Sequence, residues 1–120
     1  MNLATRTASP VTPSMAELEA HAAEAAQFLR LLANEHRLLV MCHLLASDEL
    51  PVNALAERVG LSQSALSQHL ARLREDGLVT YRRASQTLFY RISDDRAERV
   101  LAVLKDIFCP TLGSEPEKTS

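Results

Sequence analysis

Apolar side chains recur at three- and four-residue intervals along most of this chain, and a short region of strand-like character interrupts them before the last helical stretch. Ser14 and Glu17 form the S-x-x-E pattern of a capping box. The stripe that follows, Leu18, Ala22, Ala25, Phe28, Leu29 and Leu32, has the spacing of one helix face and predicts a first helix. Asn34 is placed to cap a second helix running to about Leu45, with Leu38, Leu39, Cys42 and Leu45 on its inner side. Ser47-Asp48-Glu49-Leu50-Pro51 reads as a loop. A short helix from Val52 to Val59 turns Leu55 and Val59 inward, and Gly60 stops it, because glycine takes the left-handed C-terminal conformation without steric cost. Ser62 caps a fourth helix, Gln63 to Glu75, whose apolar face is Ala65, Leu66, Leu70 and Leu73; Asp76-Gly77 ends it.

Residues 78–82 and 87–92 then read as two strands around the polar loop 83–86, with Tyr81, Phe89 and Tyr90 suited to cross-strand pairing. Ser93, Asp94 and Asp95 open a last helix, where the acidic pair complements the positive end of the helix dipole. Its stripe is Ala97, Val100, Leu101, Leu104, Ile107 and Phe108, and Pro110 stops it. The order is α-α-α-α-β-β-α: mainly α with a β-hairpin wing. Two helices joined at Gly60-Leu61-Ser62 and followed by a hairpin describe a winged helix-turn-helix. The expected organisation is a disordered tail over 1–13, the winged domain over 14–109, and a flexible tail over 110–120.

Composition narrows the function. At 120 residues, with 47% apolar side chains, the chain fits one small globular domain. Aromatics are 4%, Trp is absent and glycines number three, so Leu and Ala build the core, which favours helices. The N-terminal MNLATRTASPVTPS lacks a signal peptide's apolar core. Charge-free runs such as residues 38–47, about ten residues, are short of the ~20 that cross a bilayer. A cytoplasmic protein with no membrane partner is the expectation. No Ser/His/Asp, Cys/His, C-x-x-C or Gly-rich phosphate motif occurs, so neither an enzyme nor a cofactor is expected.

The net charge of −2 conceals a segregation. Residues 1–59 carry 4 basic and 7 acidic side chains, residues 92–120 carry 4 and 6, and residues 60–91 carry 5 and 2. The one basic section holds the fourth helix and the wing, where phosphate neutralisation needs it. The outward face of the fourth helix offers Gln63, Ser64, Ser67, Gln68 and Arg72, short or amide side chains able to approach base edges in a major groove. A merely solvated face would be richer in Glu and Lys. Arg82, Arg83 and Gln86 are expected to meet backbone or minor groove. His69 is ambiguous between a phosphate contact and a half-buried packing role.

The segment VNALAERVGLSQSALSQHLARLREDGLVTYRRASQTLFYRI resembles the ArsR/SmtB family of bacterial winged-helix repressors, most specifically in LSQSALSQHLARLREDGLV. The resemblance implies a homodimer joined through its first and last helices and bound to a palindromic operator in double-stranded DNA. Independently, a stripe containing Leu101, Leu104, Ile107 and Phe108 is more than so small a core can bury, and two-fold symmetry would set two recognition helices about one DNA turn apart.

Many members of that family sense metals, but the ligand patterns are absent here. Val40-Met41-Cys42-His43-Leu44 has one cysteine where a Cys-x-Cys motif is needed, and the last helix offers Asp95, Glu98 and Asp106 without a histidine. His21, His36, His43 and His69 show no ligand spacing, so no metal is expected. The cysteine pattern instead resembles the sulfide- and persulfide-responsive subgroup, with Cys42 in RLLVMCHLL and Cys109 in KDIFCP at the two matching places. That resemblance implies a dithiol switch: reactive sulfur species such as persulfides join Cys42 and Cys109 in a polysulfide or disulfide link, and the operator is released. Arg37 and Lys105 are candidates to activate the thiols. By themselves the residues also fit a small buried Cys42 and an incidental Cys109. The alternatives are the same fold sensing arsenite or another metalloid, or general oxidants, through the same cysteines, and a winged-helix interaction module that binds no DNA.

Overall fold

The structure, a computed structural model, describes residues 14–109. The expected tails over 1–13 and 110–120, and the stop at Pro110, lie outside the described residues. Two compact units divide between Ala33 and Asn34.

The first unit contains helix α1, Met15–Leu32. Its start follows the capping pattern: Ser14 Oγ accepts the Glu17 N–H at 3.0 Å. The Ala33 N–H closes the other end on the Arg30 and Leu29 carbonyls.

The second unit holds α2 (Glu35–Ser47), β1 (Leu50–Pro51), α3 (Val52–Val59), α4 (Gln63–Glu75), β2 (Val79–Ala84), β3 (Thr87–Ile92) and α5 (Asp95–Phe108). The architecture is a winged helix, mainly helical with a small antiparallel sheet in the order β1-β3-β2. Asn34 Oδ1 accepts the Arg37 N–H at 3.1 Å and starts α2 as expected. The buried face of α2 is a correction, however. Val40, Met41 and Leu44 enter the core, while Leu39 and Cys42 are exposed and Leu38 and Leu45 only half-buried. Seven of the eight side chains from Leu38 to Leu45 are apolar or cysteine, so periodicity singles out no face.

The helix-turn-helix has the expected elements, with Ala65 half-buried rather than in the core. Gly60 sits at φ 73, its N–H and that of Leu61 both return to the Ala56 carbonyl, and Ser62 Oγ then accepts the Ala65 N–H at 3.1 Å. Leu55, Leu66, Leu70 and Leu73 are fully buried and seat α4 on the body. Gly77, at φ 78, ends the turn after α4, and the Leu78 N–H reaches the Leu73 carbonyl at 2.9 Å.

The sheet departs from expectation in two places. Leu50–Pro51, read as loop, is a two-residue strand pairing with β3 at Tyr90 and Phe89. It is too short to show any alternation. The wing loop contracts to Ser85-Gln86, because Arg83 and Ala84 pair with Leu88 and Thr87. Ser85 takes φ 62, which puts the positive φ at the first loop position, as a type II′ hairpin turn requires. One sheet face turns Leu50, Val79, Tyr90 and Ile92 into the core. Asp94 Oδ1 accepts the Arg96 and Ala97 N–H groups and starts α5. Ala97 and Leu101 are buried, whereas Val103, Ile107 and Phe108 are 55%, 62% and 76% exposed. No helix among the described residues is long and apolar enough to cross a membrane.

Candidate nucleic-acid interface

Helix α4 presents a polar face because its three leucines, Leu66, Leu70 and Leu73, are all committed to the core. Gln63, Ser64, Ser67, Gln68 and Arg72 are exposed. The first turn carries no acid, so the positive end of the helix dipole stands uncompensated beside them. Gln63 and Ser67 line a groove of about 380 Å³ that Asn53 of α3 and Gln86, Thr87, Leu88 and Tyr90 of the wing complete. The fold thereby brings Gln63, Ser67 and Gln86 to one concave surface, as the sequence reading needs. Arg72 is in a 3.6 Å ion pair with Asp76, with half its side chain in solvent. So exposed a pair binds weakly and leaves the guanidinium available.

His69 resolves to the packing side of its ambiguity. It is half-buried, and its ring lies 5.8 Å from that of His36 on α2. Burial, with Arg37 and His36 nearby, holds its pKa below the ordinary imidazole value, so it is neutral at neutral pH and a poor phosphate ligand.

The two wing arginines differ. Arg83 is exposed and makes no hydrogen bond or ion pair among the described residues. Arg82, expected to meet backbone or minor groove, is paired with Glu49: Nε donates to Oε2 at 2.8 Å and Nη2 to Oε1 at 2.9 Å. Its guanidinium also lies 4.7 Å from the Phe89 ring centroid. Glu49 is not anticipated by the sequence, because the loop that carries it gives no sign of returning to the sheet.

The cysteines lie on α2 and at the end of α5, two helices that pack together. Cys42 and Cys109 are both free thiols with exposed surface. Partial burial pushes the Cys42 pKa up, the neighbouring Cys109 adds to this, and Lys105 opposes it. Lys105 therefore acts in the expected direction but loses to desolvation, and Arg37 bears on His69 rather than on Cys42. The expectation of an activated Cys42 is corrected: at neutral pH it is a thiol. The same three influences place Cys109 and Lys105 within electrostatic reach of Cys42.

Comparison with known proteins identifies the family. The family described as "Bacterial regulatory protein, arsR family" matches residues 34–81. The transcriptional activator HlyU of Vibrio cholerae is 45% identical over 96 residues, covering 80% of this chain and 88% of that one. The reduced HlyU structure from the same organism superposes with a TM-score of 0.73 at 46% identity, over 78% of this chain and 97% of the other. The transcriptional repressor BigR of Xylella fastidiosa gives a TM-score of 0.72 at 35% identity, over 82% and 96%. With a winged helix, an exposed polar face on α4 and relatives of this identity and coverage, the chain belongs to the arsR family of bacterial transcriptional regulators.

Proposed function

We propose that this regulator is a homodimeric repressor that binds a palindromic operator and releases it when reactive sulfur species link Cys42 to Cys109. Gln63, Ser64, Ser67 and Gln68 read base edges, and Arg72, Arg83 and Gln86 meet the backbone or minor groove. The observation that supports the switch is geometric: α2, which carries Cys42, packs against α5, which ends at Cys109, and both thiols are free and exposed. A link formed there ties the helix that carries Cys42 to the helix whose exposed apolar face would join two protomers, so oxidation bears on the spacing of the two recognition helices. The relatives' names support both signs of regulation, an activator in HlyU and a repressor in BigR, and the repressor reading takes the latter.

In a tetrasulfide, two persulfide molecules each hand one sulfur to a cysteine and leave as thiols. The two resulting cysteine persulfides then join, losing two protons and two electrons to a third persulfide, which departs as thiol and hydrogen sulfide. A direct disulfide needs Cα atoms within about 7 Å, and inserted sulfurs relax that limit.

Intact mass after organic persulfide, with diamide and arsenite in parallel and DNA binding read on the same samples, tests the reading. A gain of two sulfurs minus two hydrogens, lost in Cys42→Ser and Cys109→Ser and accompanied by DNA release, is the expected result. Release by arsenite or diamide alone, with persulfide inert, would reassign the inducer while leaving the regulator in place.

A further inference from the structure

Helix α2 leaves for the sheet through an unusual turn. Asp48 sits at φ 65, ψ −51, and the Glu49 N–H bonds the Ser47 carbonyl at 2.6 Å, closing a γ-turn of the rare positive-φ kind. A non-glycine residue is strained there, and such strain persists only where the surroundings enforce it. Ser47 Oγ accepts from Arg58 of α3 at 3.2 Å, so this end of α2 is already tied to the helical body. One residue beyond the turn, Glu49 reaches across the sheet to Arg82.

Strand alternation explains why Arg82 is available to it. Pro51, Phe89 and Arg82 are register partners across β1, β3 and β2 and share one sheet face. Leu50, Tyr90 and Tyr81 form the adjacent row on the other face, and Arg83 opposite Leu88 continues that face towards the groove beside α4. Two sequence-adjacent arginines thus point to opposite sides of the wing. Arg83 faces the recognition-helix side without a partner, whereas the fork of Arg82 is filled by a carboxylate and backed by an aromatic ring.

We propose that Arg82 is a positioning residue rather than a phosphate ligand: with Glu49 it clamps the wing to the end of the helical body, so that Arg83 and Gln86 are held where DNA lies. The inference rests on the proposal that the wing meets DNA. Within the sheet, among the described residues, two residue pairs of β1 join the hairpin's β3 edge to the end of the helical body. The clamp also cancels the charge of Arg82, so the pair offers phosphate little attraction. As an exposed pair it contributes little to global stability, and variants that break it should fold.

The test uses the full chain and two probes: a duplex selected by the wild-type protein from a random library, and a random-sequence duplex. Binding is measured across a salt series for Glu49→Gln, Arg82→Ala, the double variant, the exchange Glu49→Arg/Arg82→Glu, and Arg83→Ala. Glu49→Gln, Arg82→Ala and their combination should each weaken the selected duplex by the same factor, roughly tenfold, since each breaks the same pair. Their salt slopes should match wild type, and the exchange should recover affinity. If Glu49→Gln tightens binding while Arg82→Ala lowers the slope by about one unit, Arg82 is a phosphate ligand and the clamp is overturned. Unchanged affinity in both single variants overturns it as well. Arg83→Ala separates the two ideas: it should flatten the slope by about one unit, and no effect there removes the Arg83 contact whatever the clamp variants do.

Discussion

Neighbouring side chains on α4 carry separate tasks, and substitution can tell them apart. Gln68 is exposed in the second turn of α4, and an amide suits the bidentate edge of adenine. Gln68→Ala should cost ~1–3 kcal/mol on a specific site and almost nothing on random DNA, measured by fluorescence anisotropy. Equal losses on both would assign the side chain to backbone contact. At Cys42 the raised pKa leaves little thiolate at neutral pH. Its alkylation by iodoacetamide, followed by peptide mass, should be slow near neutrality and climb only beyond the ordinary thiol pKa. Lys105 pulls that pKa down, so Lys105→Ala should move the alkylation profile to still higher pH; a shift the other way would remove Lys105 from the cysteine's surroundings.

Elements bounded by caps are the ones legible in the sequence. Ser14, Asn34, Ser62 and Asp94 each accept from a backbone N–H where a helix was expected to begin, and Gly60 ends α3 with positive φ. These are local signals, complete within four residues of chain. What stayed illegible depends on distant partners. Strand β1 exists only because β3 returns beside it, and the orientation of α2 is set by which of its many apolar residues the sheet and α3 accept. The exposed polar face of α4 was legible because its leucines and polar residues separate there. The clamp on Arg82 was not, because Glu49 lies 33 positions away. The corrected face of α2 has a measurable consequence. Met41→Ala should cost ~2–5 kcal/mol in chemical denaturation, as a fully buried side chain leaves a cavity. Leu39→Ala, on a residue the sequence alone would bury, should cost the folded protomer far less. Similar losses at the two positions would put Leu39 in an interface or in the core.

At the scale of the whole molecule, α5 leaves an apolar surface that one protomer does not use. Val103, Ile107 and Phe108 are more than half exposed on the side where Arg96, Arg99, Val100, Val103 and Leu104 line a shallow, mainly apolar depression. Contiguous exposed apolar surface of this kind marks an association site. In the proposed homodimer it is the seam, so Ile107→Glu and Phe108→Glu should give monomers in sedimentation velocity. Binding to a palindrome should then fall to the level of a half-site, because two recognition helices are no longer presented together. A dimer that survives both substitutions would move the seam elsewhere.

The tyrosine pair has one more consequence. The chain has no Trp, and its two tyrosines, Tyr81 and Tyr90, face each other across β2 and β3 with ring centroids 5.3 Å apart and the guanidinium of Arg74 over the first. Its native ultraviolet emission is therefore a signal from the hairpin, with α4 touching it through Arg74. The protein carries its own optical reporter of how the wing sits on α4, readable without a label and undiluted by any other strong chromophore in the sequence.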